Sequence, residues 1–236
     1  MTDSARAPIR SRTGQRADTQ GSDDAPRARG CESSSGNGQS EQARTCFHDF
    51  AALRPAGGFG LIMADPPWSF ETYSKKGQAK SAQAHYDCMT LKEIRALPVE
   101  ALAGEHCVLW LWATSPMIRE ALDVCRVWGF AYKTMGVWVK RGASGKLAFG
   151  TGYRLRNAHE PFIIATRGAP VTARNVRSVV EGPAREHSRK PDEAFAAAEA
   201  LAPGAARAEL FSRQARPGWA CWGAETGKFS TGGAAS

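Results

Sequence analysis

One short stretch combines an acid with residues that fix its position. The apolar run 61–64 is followed directly by Asp65, Pro66, Pro67 and Trp68. A short apolar run that stops at a breaker is typical of a parallel-sheet strand covered on both faces. Because proline has a fixed φ and no N–H, the strand must end at Asp65, at the edge where open α/β sheets bind ligands. The four residues alone are equally compatible with a plain Asp-Pro turn.

Predicted strands and helices alternate along the chain, and they would position this carboxylate. Further strands are predicted at 107–112, 130–140, 161–166, 176–181 and 208–211. Helices are predicted from the capping box Thr90-x-x-Glu93 to Pro98, from Ser115-Pro116 to Gly129 with Ile118, Ala121, Leu122 and Cys125 on one face, and from Pro191 to Leu201. Strands that alternate with helices predict an α/β fold with a mainly parallel sheet flanked by helices.

Composition restricts the class of protein. The chain has 236 residues, 42% of them hydrophobic, which is enough for one sizeable core. Its six cysteines form no Cys-x-x-Cys pair, so we expect buried thiols in a reducing, cytoplasmic compartment, with neither a disulfide framework nor a metal site. No apolar run reaches the roughly 18 residues of a membrane span, so no membrane partner is expected.

The two ends of the chain differ from its centre. Residues 1–44 contain no aromatic side chain and only Ile9 among the branched aliphatic ones. Such a segment cannot bury enough apolar surface to offset its ordering entropy, so we expect a disordered polar tail. The predicted catalytic domain then covers residues 45–228, and a flexible tail covers 229–236.

Positive charge is concentrated in one part of the chain. The net charge is +8, and residues 133–190 hold twelve Lys and Arg against three acids. A solvated face is the usual fate of basic residues, but a surplus of this density favours contact with a nucleic-acid backbone. We expect Arg154, Arg156, Asn157 and His159 to contact that substrate.

Three separated motifs resemble one family. They are Asp65-Pro66-Pro67-Trp68, the segment His187–Glu193 (HSRKPDE), and the segment Glu209–Arg213 (ELFSR) with Pro217-Gly218-Trp219 after it. Together they resemble the MT-A70 family of S-adenosylmethionine-dependent adenine-N6 methyltransferases, over about residues 46–226. The resemblance implies a Rossmann-like fold in which the catalytic strand precedes the cofactor strand, a circularly permuted motif order.

The resemblance implies that Asp65, Pro66, Pro67 and Trp68 are catalytic. The Asp65 carboxylate and the Pro66 carbonyl would accept the two hydrogens of the adenine amine, and the prolines would add no competing donor. Trp68 would shape the base pocket.

The resemblance also implies a cofactor site and further substrate contacts. Lys190, Glu209, Arg213 and Glu225 would bind S-adenosylmethionine together with Asp65. Tyr86 would stack on the adenine, although a core tyrosine is nearly as compatible with its position, and His187 would face the substrate. Relatives often have Asn where this chain has Ala224, which removes one contact to the cofactor.

The sequence therefore predicts an adenine-N6 methyltransferase that acts on nucleic acid, with DNA favoured over RNA by the compact form of the chain. Two alternatives stay open, namely an RNA adenosine N6-methyltransferase and a catalytically silent nucleic-acid-binding subunit. A homo- or heterodimer is compatible with either.

Overall fold

A seven-stranded sheet forms the centre of the fold in the residues that the computed structural model describes, which are 50–68, 89–152, 154–185 and 189–223. The strands are β1 (Phe59–Ala64), β2 (Ala103–Trp112), β3 (Ala131–Arg141), β4 (His159–Arg167), β5 (Val179–Pro183), β6 (Arg207–Leu210) and β7 (Ala220–Trp222). They lie in the order β5-β3-β4-β2-β1-β6-β7. Each strand predicted from the apolar pattern is confirmed, with bounds that differ by at most four residues.

Helices cover both faces of this sheet. They are α1 (Leu91–Ala96), α2 (Val99–Leu102), α3 (Ile118–Val127) and α4 (Asp192–Leu201). The capping box that opens α1 is confirmed, because Thr90 Oγ1 accepts from the Glu93 N–H while Glu93 bonds back to the Thr90 N–H. One predicted core position is wrong: Leu122 is exposed, and Val124 takes the buried place on α3.

The pairing of the strands confirms a mainly parallel sheet. β1 runs parallel to β2 and to β6, and the pairs β3–β5 and β6–β7 are parallel too. β4 is antiparallel to both β2 and β3. A hairpin loop at residues 142–158 joins β3 to β4, and this direct connection reverses the chain without a crossover helix.

The alternation of β1 explains its uninterrupted apolar sequence. Leu61 and Met63 pack in a core with Trp110 on β2 and with α4, whereas Ile62 and Ala64 pack on the opposite face with α1 and α3. A strand covered on both faces has no position for a polar side chain. The first polar residue is therefore Asp65, where the sheet ends.

The sheet reverses its strand order at β1. The next strand along the chain, β2, lies on one side of β1, and β6 lies on the other. In open α/β sheets, ligands bind outside the carboxyl ends of the strands at such a switch point. The carboxyl ends of β1 and β6 are thus where a site is expected.

The predicted tails, 1–44 and 229–236, lie outside the described residues, and their disorder stays a prediction. Among the helices that the structure describes, none has both the length and the apolar character needed to cross a bilayer.

Candidate active site

The corner after β1, which consists of residues Asp65–Trp68, is held by backbone and indole hydrogen bonds. The Asp65 N–H donates to the Leu210 carbonyl at 3.3 Å, which ties the corner to β6. Trp68 is buried, and its indole Nε1 donates to the Trp112 carbonyl at 3.0 Å. The Trp68 backbone N–H donates to the Pro66 carbonyl at 2.8 Å. The prolines have no N–H to offer, but the Trp68 N–H occupies one lone pair of this carbonyl and leaves the second for a ligand.

A chain of alternating charges runs from Asp65 into the protein. Lys190 Nζ lies 2.6 Å from Asp65 Oδ2 and 2.8 Å from Glu160 Oε1. Glu160 Oε2 in turn lies 2.7 Å from Lys140 Nζ. Lys190 and Glu160 are both buried, and the Lys190 ammonium lies 5.3 Å from the centre of the Trp112 ring. Buried charges of this kind are stable only when each has a partner, and here each of them has one.

The pKa values follow from these contacts. Burial alone would lower the pKa of Lys190, but the carboxylates of Asp65 and Glu160 raise it above its usual value. Burial alone would raise the pKa of Glu160, but the ammonium groups of Lys190 and Lys140 lower it. For Asp65 burial prevails, and the pKa is raised although Lys190 opposes the shift. Lys190 is thus a permanent cation, whereas Asp65 is a carboxylate whose charge depends on what surrounds it.

Four predicted site residues line one cleft. Asp65, Lys190, Glu209 and Arg213 border a space of about 370 Å³ at the carboxyl ends of β1 and β6. The other lining side chains, which the sequence did not indicate, are Arg189, Phe195, Phe211, Gln214 and Arg216. The cleft thus combines two carboxylates, four cations and two aromatic rings.

Glu209, like Gln214 and Arg216, has a buried polar atom in this cleft with no hydrogen-bond partner among the described residues. It pairs with Met63 across β6 and β1, and its Oε2 atom is buried without a hydrogen-bond partner among the described residues. Burial raises the pKa of Glu209 to about 7, and the nearby Asp65 carboxylate adds to the shift. A buried carboxylate oxygen without a donor is costly, so this atom is suited to accept a hydrogen bond from a ligand.

The turn after β6 has a strained backbone. Phe211 has a φ of +64°, the one positive φ of a non-glycine residue in the described ranges. Gly223 lies against this turn, and a Cβ there would be 2.4 Å from the Ser212 carbonyl oxygen, so only glycine fits. Strain of this kind is held by the surrounding structure and is common at ligand sites.

The predicted substrate residues of the basic segment lie on the β3–β4 loop or at its end. Arg154, Arg156, Asn157 and His159 are all exposed. Asn157 closes the loop, since its carbonyl accepts from the Gly150 N–H at 2.9 Å. The loop leaves the sheet at the same edge as Asp65, because Trp112 at the end of β2 pairs with Phe162 near the start of β4.

Three predicted site residues, Tyr86, His187 and Glu225, lie outside the described residues, as does Ala224. Their roles stay predictions.

Glu160 and Lys140 were missed as members of the site. Lys140 lies near the end of β3 and Glu160 near the start of β4, and the antiparallel register brings them side by side. The signal in the sequence was an acid at the head of an apolar strand, since such a residue needs a buried partner.

Comparison with known proteins adds independent evidence. The MT-A70 family model matches residues 59–225. The chain is similar to a putative N(6)-adenosine-methyltransferase MT-A70-like protein of Medicago truncatula, with 32% identity over 69% of this chain and 26% of the relative. It is similar to the type II methyltransferase M.MunI of a Mycoplasma species, with 28% identity over 72% of this chain and 79% of the relative. The human N(6)-adenosine-methyltransferase catalytic subunit METTL3 is 27% identical over 69% of this chain and 27% of the relative. The chain thus spans about a quarter of the plant and human relatives and most of M.MunI.

Proposed function

The chain belongs to the MT-A70 family, and from that premise we propose that it transfers a methyl group from S-adenosylmethionine to the N6 amine of adenine in DNA. The observation that carries the proposal is the cleft in which Asp65, at the end of β1, meets Lys190, Glu209 and Arg213. The motif residues come from three distant parts of the sequence. A plain Asp-Pro turn would not need them together.

The residues of the cleft fit the proposed cofactor. S-adenosylmethionine has a carboxylate, an ammonium group, a sulfonium and ribose hydroxyls, and it supplies an electrophilic methyl group. Lys190 and Arg213 offer cations for the carboxylate. The unpartnered Oε2 of Glu209 offers an acceptor for a hydroxyl or for the ammonium group. These three residues are the ones that we propose to hold it.

The chemical task of the corner is to make a poor nucleophile react. The lone pair of the exocyclic adenine amine is delocalised into the ring. We propose that the Asp65 carboxylate and the free lone pair of the Pro66 carbonyl accept the two N–H hydrogens, which favours a tetrahedral nitrogen with an available lone pair. The negative charge of Asp65 also stabilises the positive charge that develops on N6.

The remaining steps need no strong base. As the new C–N bond forms, the bond between the methyl carbon and the sulfonium sulfur would break and leave a neutral thioether. N6 would then carry the positive charge and be acidic, so it would lose one proton to Asp65 or to water. The rigidity of the corner supplies orientation, because Trp68 and the bond from Asp65 to β6 hold both acceptors in place.

DNA is the proposed nucleic acid on grounds of architecture. The chain covers 79% of the type II methyltransferase but 26% and 27% of the two N(6)-adenosine methyltransferases. RNA methylation is the second candidate, because those two relatives are named for adenosine.

One assay tests the proposal. The full chain is incubated with tritiated S-adenosylmethionine and with duplex DNA, single-stranded DNA or RNA of the same base composition. We expect label in N6-methyladenine from DNA and none with Asp65→Ala. Label in RNA alone would mean that the substrate is RNA and not DNA. Cofactor binding without transfer to any polymer would indicate a catalytically silent subunit.

The pKa of Glu209 predicts how cofactor binding depends on pH. As the pH rises from 6 to 8, Glu209 passes through its pKa of about 7 and becomes a carboxylate. Its attraction for a cationic ligand then increases, so we expect the Kd of S-adenosylmethionine to fall by about 3- to 10-fold.

Titration calorimetry at several pH values measures this change. Glu209→Gln keeps an acceptor oxygen but cannot ionise, and it should bind with a nearly flat pH profile. If the Kd of Glu209→Gln still depends on pH as in the wild type, Glu209 does not contact the cofactor.

The exposed arginines of the β3–β4 loop predict a salt effect. Replacing Arg154 and Arg156 with glutamine removes two cations that form no ion pair within the described part of the chain. If both contact phosphates, the slope of log K against log salt should become shallower by about 2. Fluorescence anisotropy with labelled DNA measures it. The matched control is Arg174→Gln with Arg177→Gln, a second pair of basic residues outside the loop, and an equal effect of both pairs would mean that the loop faces elsewhere.

A further inference from the structure

The β3–β4 loop has large apolar side chains at positions where nothing in the fold covers them. Phe149 is 81% exposed and Leu155 is 85% exposed. Each is more exposed than any other large apolar side chain in the described ranges except Val171. Burying such side chains is favourable, and on a loop that carries arginines they indicate a surface made for a partner.

The loop is built in a defined way. A tight turn brings the Ala148 N–H to the Lys140 carbonyl at 2.8 Å, and the Gly150 N–H bonds the Asn157 carbonyl at 2.9 Å. The Gly150–Asn157 bond forms a neck. In the sequence Phe149 comes just before this neck, and Arg154, Leu155 and Arg156 lie between its two ends.

The base of this loop is joined directly to the catalytic corner. Lys140 at the end of β3 bonds Glu160 at the start of β4, Glu160 bonds Lys190, and Lys190 bonds Asp65, at 2.7, 2.8 and 2.6 Å. The two strands that carry the loop thus end at the rim of the cleft. Whatever the loop contacts lies beside the place where the target adenine must enter.

The positive charge around these apolar side chains indicates which class of partner the loop binds. Arg156 lies over the Phe149 ring, with 5.3 Å between its guanidinium carbon and the ring centre, and Arg154 is also exposed. No acid lies between residues 142 and 159. Exposed apolar side chains next to arginines, with no acid in the loop to neutralise them, complement the stacked bases and the phosphates of a duplex. The apolar wedges by which proteins open a base step have this composition.

We propose that Phe149 and Leu155 form a wedge that enters a DNA duplex beside the target adenine and fills the space from which that base is extruded. The proposal rests on the proposed function and deepens it, since the N6 amine of a paired adenine cannot reach Asp65 while it stays in the stack. The wedge favours the extruded state because it occupies the gap and prevents the base from returning. Arg154 and Arg156 hold the phosphates on either side.

The test compares one duplex in two forms. Both contain the site that the methylation assay identifies. In one form the target adenine is paired, and in the other it faces an abasic position and is already unpaired. For the double variant Phe149→Ala, Leu155→Ala we expect kcat/KM to fall by about 10-fold or more on the paired duplex but by less than about 2-fold on the unpaired one.

A second readout does not depend on methyl transfer. With 2-aminopurine in place of the target adenine, wild-type protein should raise the fluorescence of the paired duplex, and the double variant should not. Val171→Ala is the matched control. Val171 is an apolar side chain that is 94% exposed, and it follows β4 at the opposite edge of the sheet, so both readouts should stay at wild-type values.

The outcomes separate this proposal from the proposed function. Equal losses on the two duplexes, or no loss on either, would overturn the wedge while leaving the methyltransferase intact. A change from dimer to monomer in the double variant, seen by sedimentation, would instead assign Phe149 and Leu155 to contact with a second copy of this chain. Absence of methyl transfer by the wild type to both duplexes would overturn both proposals.

Discussion

Replacing Asp65 with asparagine is expected to lower kcat for methyl transfer by about 10²- to 10³-fold, the loss typical of one preorganised electrostatic contact in a reaction centre. Asparagine keeps the shape of the side chain and one carbonyl acceptor. It loses the negative charge that stabilises the developing charge on N6. Single-turnover transfer of a tritiated methyl group measures the effect without interference from product release.

The same substitution should leave the fold intact. Lys190 retains Glu160 as a partner, and the carboxylate that is removed is one whose pKa burial raises, so its ionised form is not a source of stability. We therefore expect a thermal unfolding midpoint within a few degrees of the wild type. The matched control is Glu181→Gln, which removes an exposed acid paired with Arg141. If Asp65→Asn keeps more than about a tenth of the wild-type kcat, the corner does not act as proposed.

The position of Asp65 at the end of a strand could be predicted because neighbouring residues determine it. An apolar run bounded by two prolines determines both the strand and the residue at which it ends, whatever the rest of the chain does. The predicted strands and helices followed from the same periodicity, and the position of Asp65 at the edge that binds ligands followed from the α/β class. The order of the strands did not follow from either. The family motifs added which distant residues meet there.

The partners of Lys190 could not be predicted in this way. Hydrophobic periodicity contains no information on strand direction, and it is the antiparallel register of β3 and β4 that brings Lys140 beside Glu160. Lys190 and Asp65 are 125 positions apart in sequence. The left-handed backbone conformation of Phe211 could not be predicted either, because phenylalanine has no preference for a positive φ.

Replacing Glu160 should cause the largest loss of stability among the site residues. Glu160 bonds both Lys140 and Lys190, and it is buried between them. Removing one member of a buried charge network leaves uncompensated charge, which costs about 3–5 kcal/mol. For Glu160→Ala we expect a loss in that range, and for Glu160→Gln, which keeps one acceptor, a loss near its lower end.

The pH dependence of stability tests the electrostatic origin of this effect. The folded-state pKa of Glu160 is lowered, so its contribution is present above the unfolded-state pKa and is lost as the pH falls through the folded value. The pKa of Lys190 is raised, so its contribution is present below the usual lysine pKa and is lost as the pH rises through the folded value. The difference in unfolding free energy between wild type and Glu160→Gln should therefore be constant between about pH 6 and 9 and shrink in acid.

A double-mutant cycle separates the charge network from simple packing. Lys140→Met removes the outer cation and keeps most of the side-chain volume. If the charges act as one network, the double variant Lys140→Met, Glu160→Gln should lose at least about 1 kcal/mol less than the sum of the two single losses in urea denaturation. Additive losses would mean that Glu160 contributes through Lys190 or through packing, and not through Lys140.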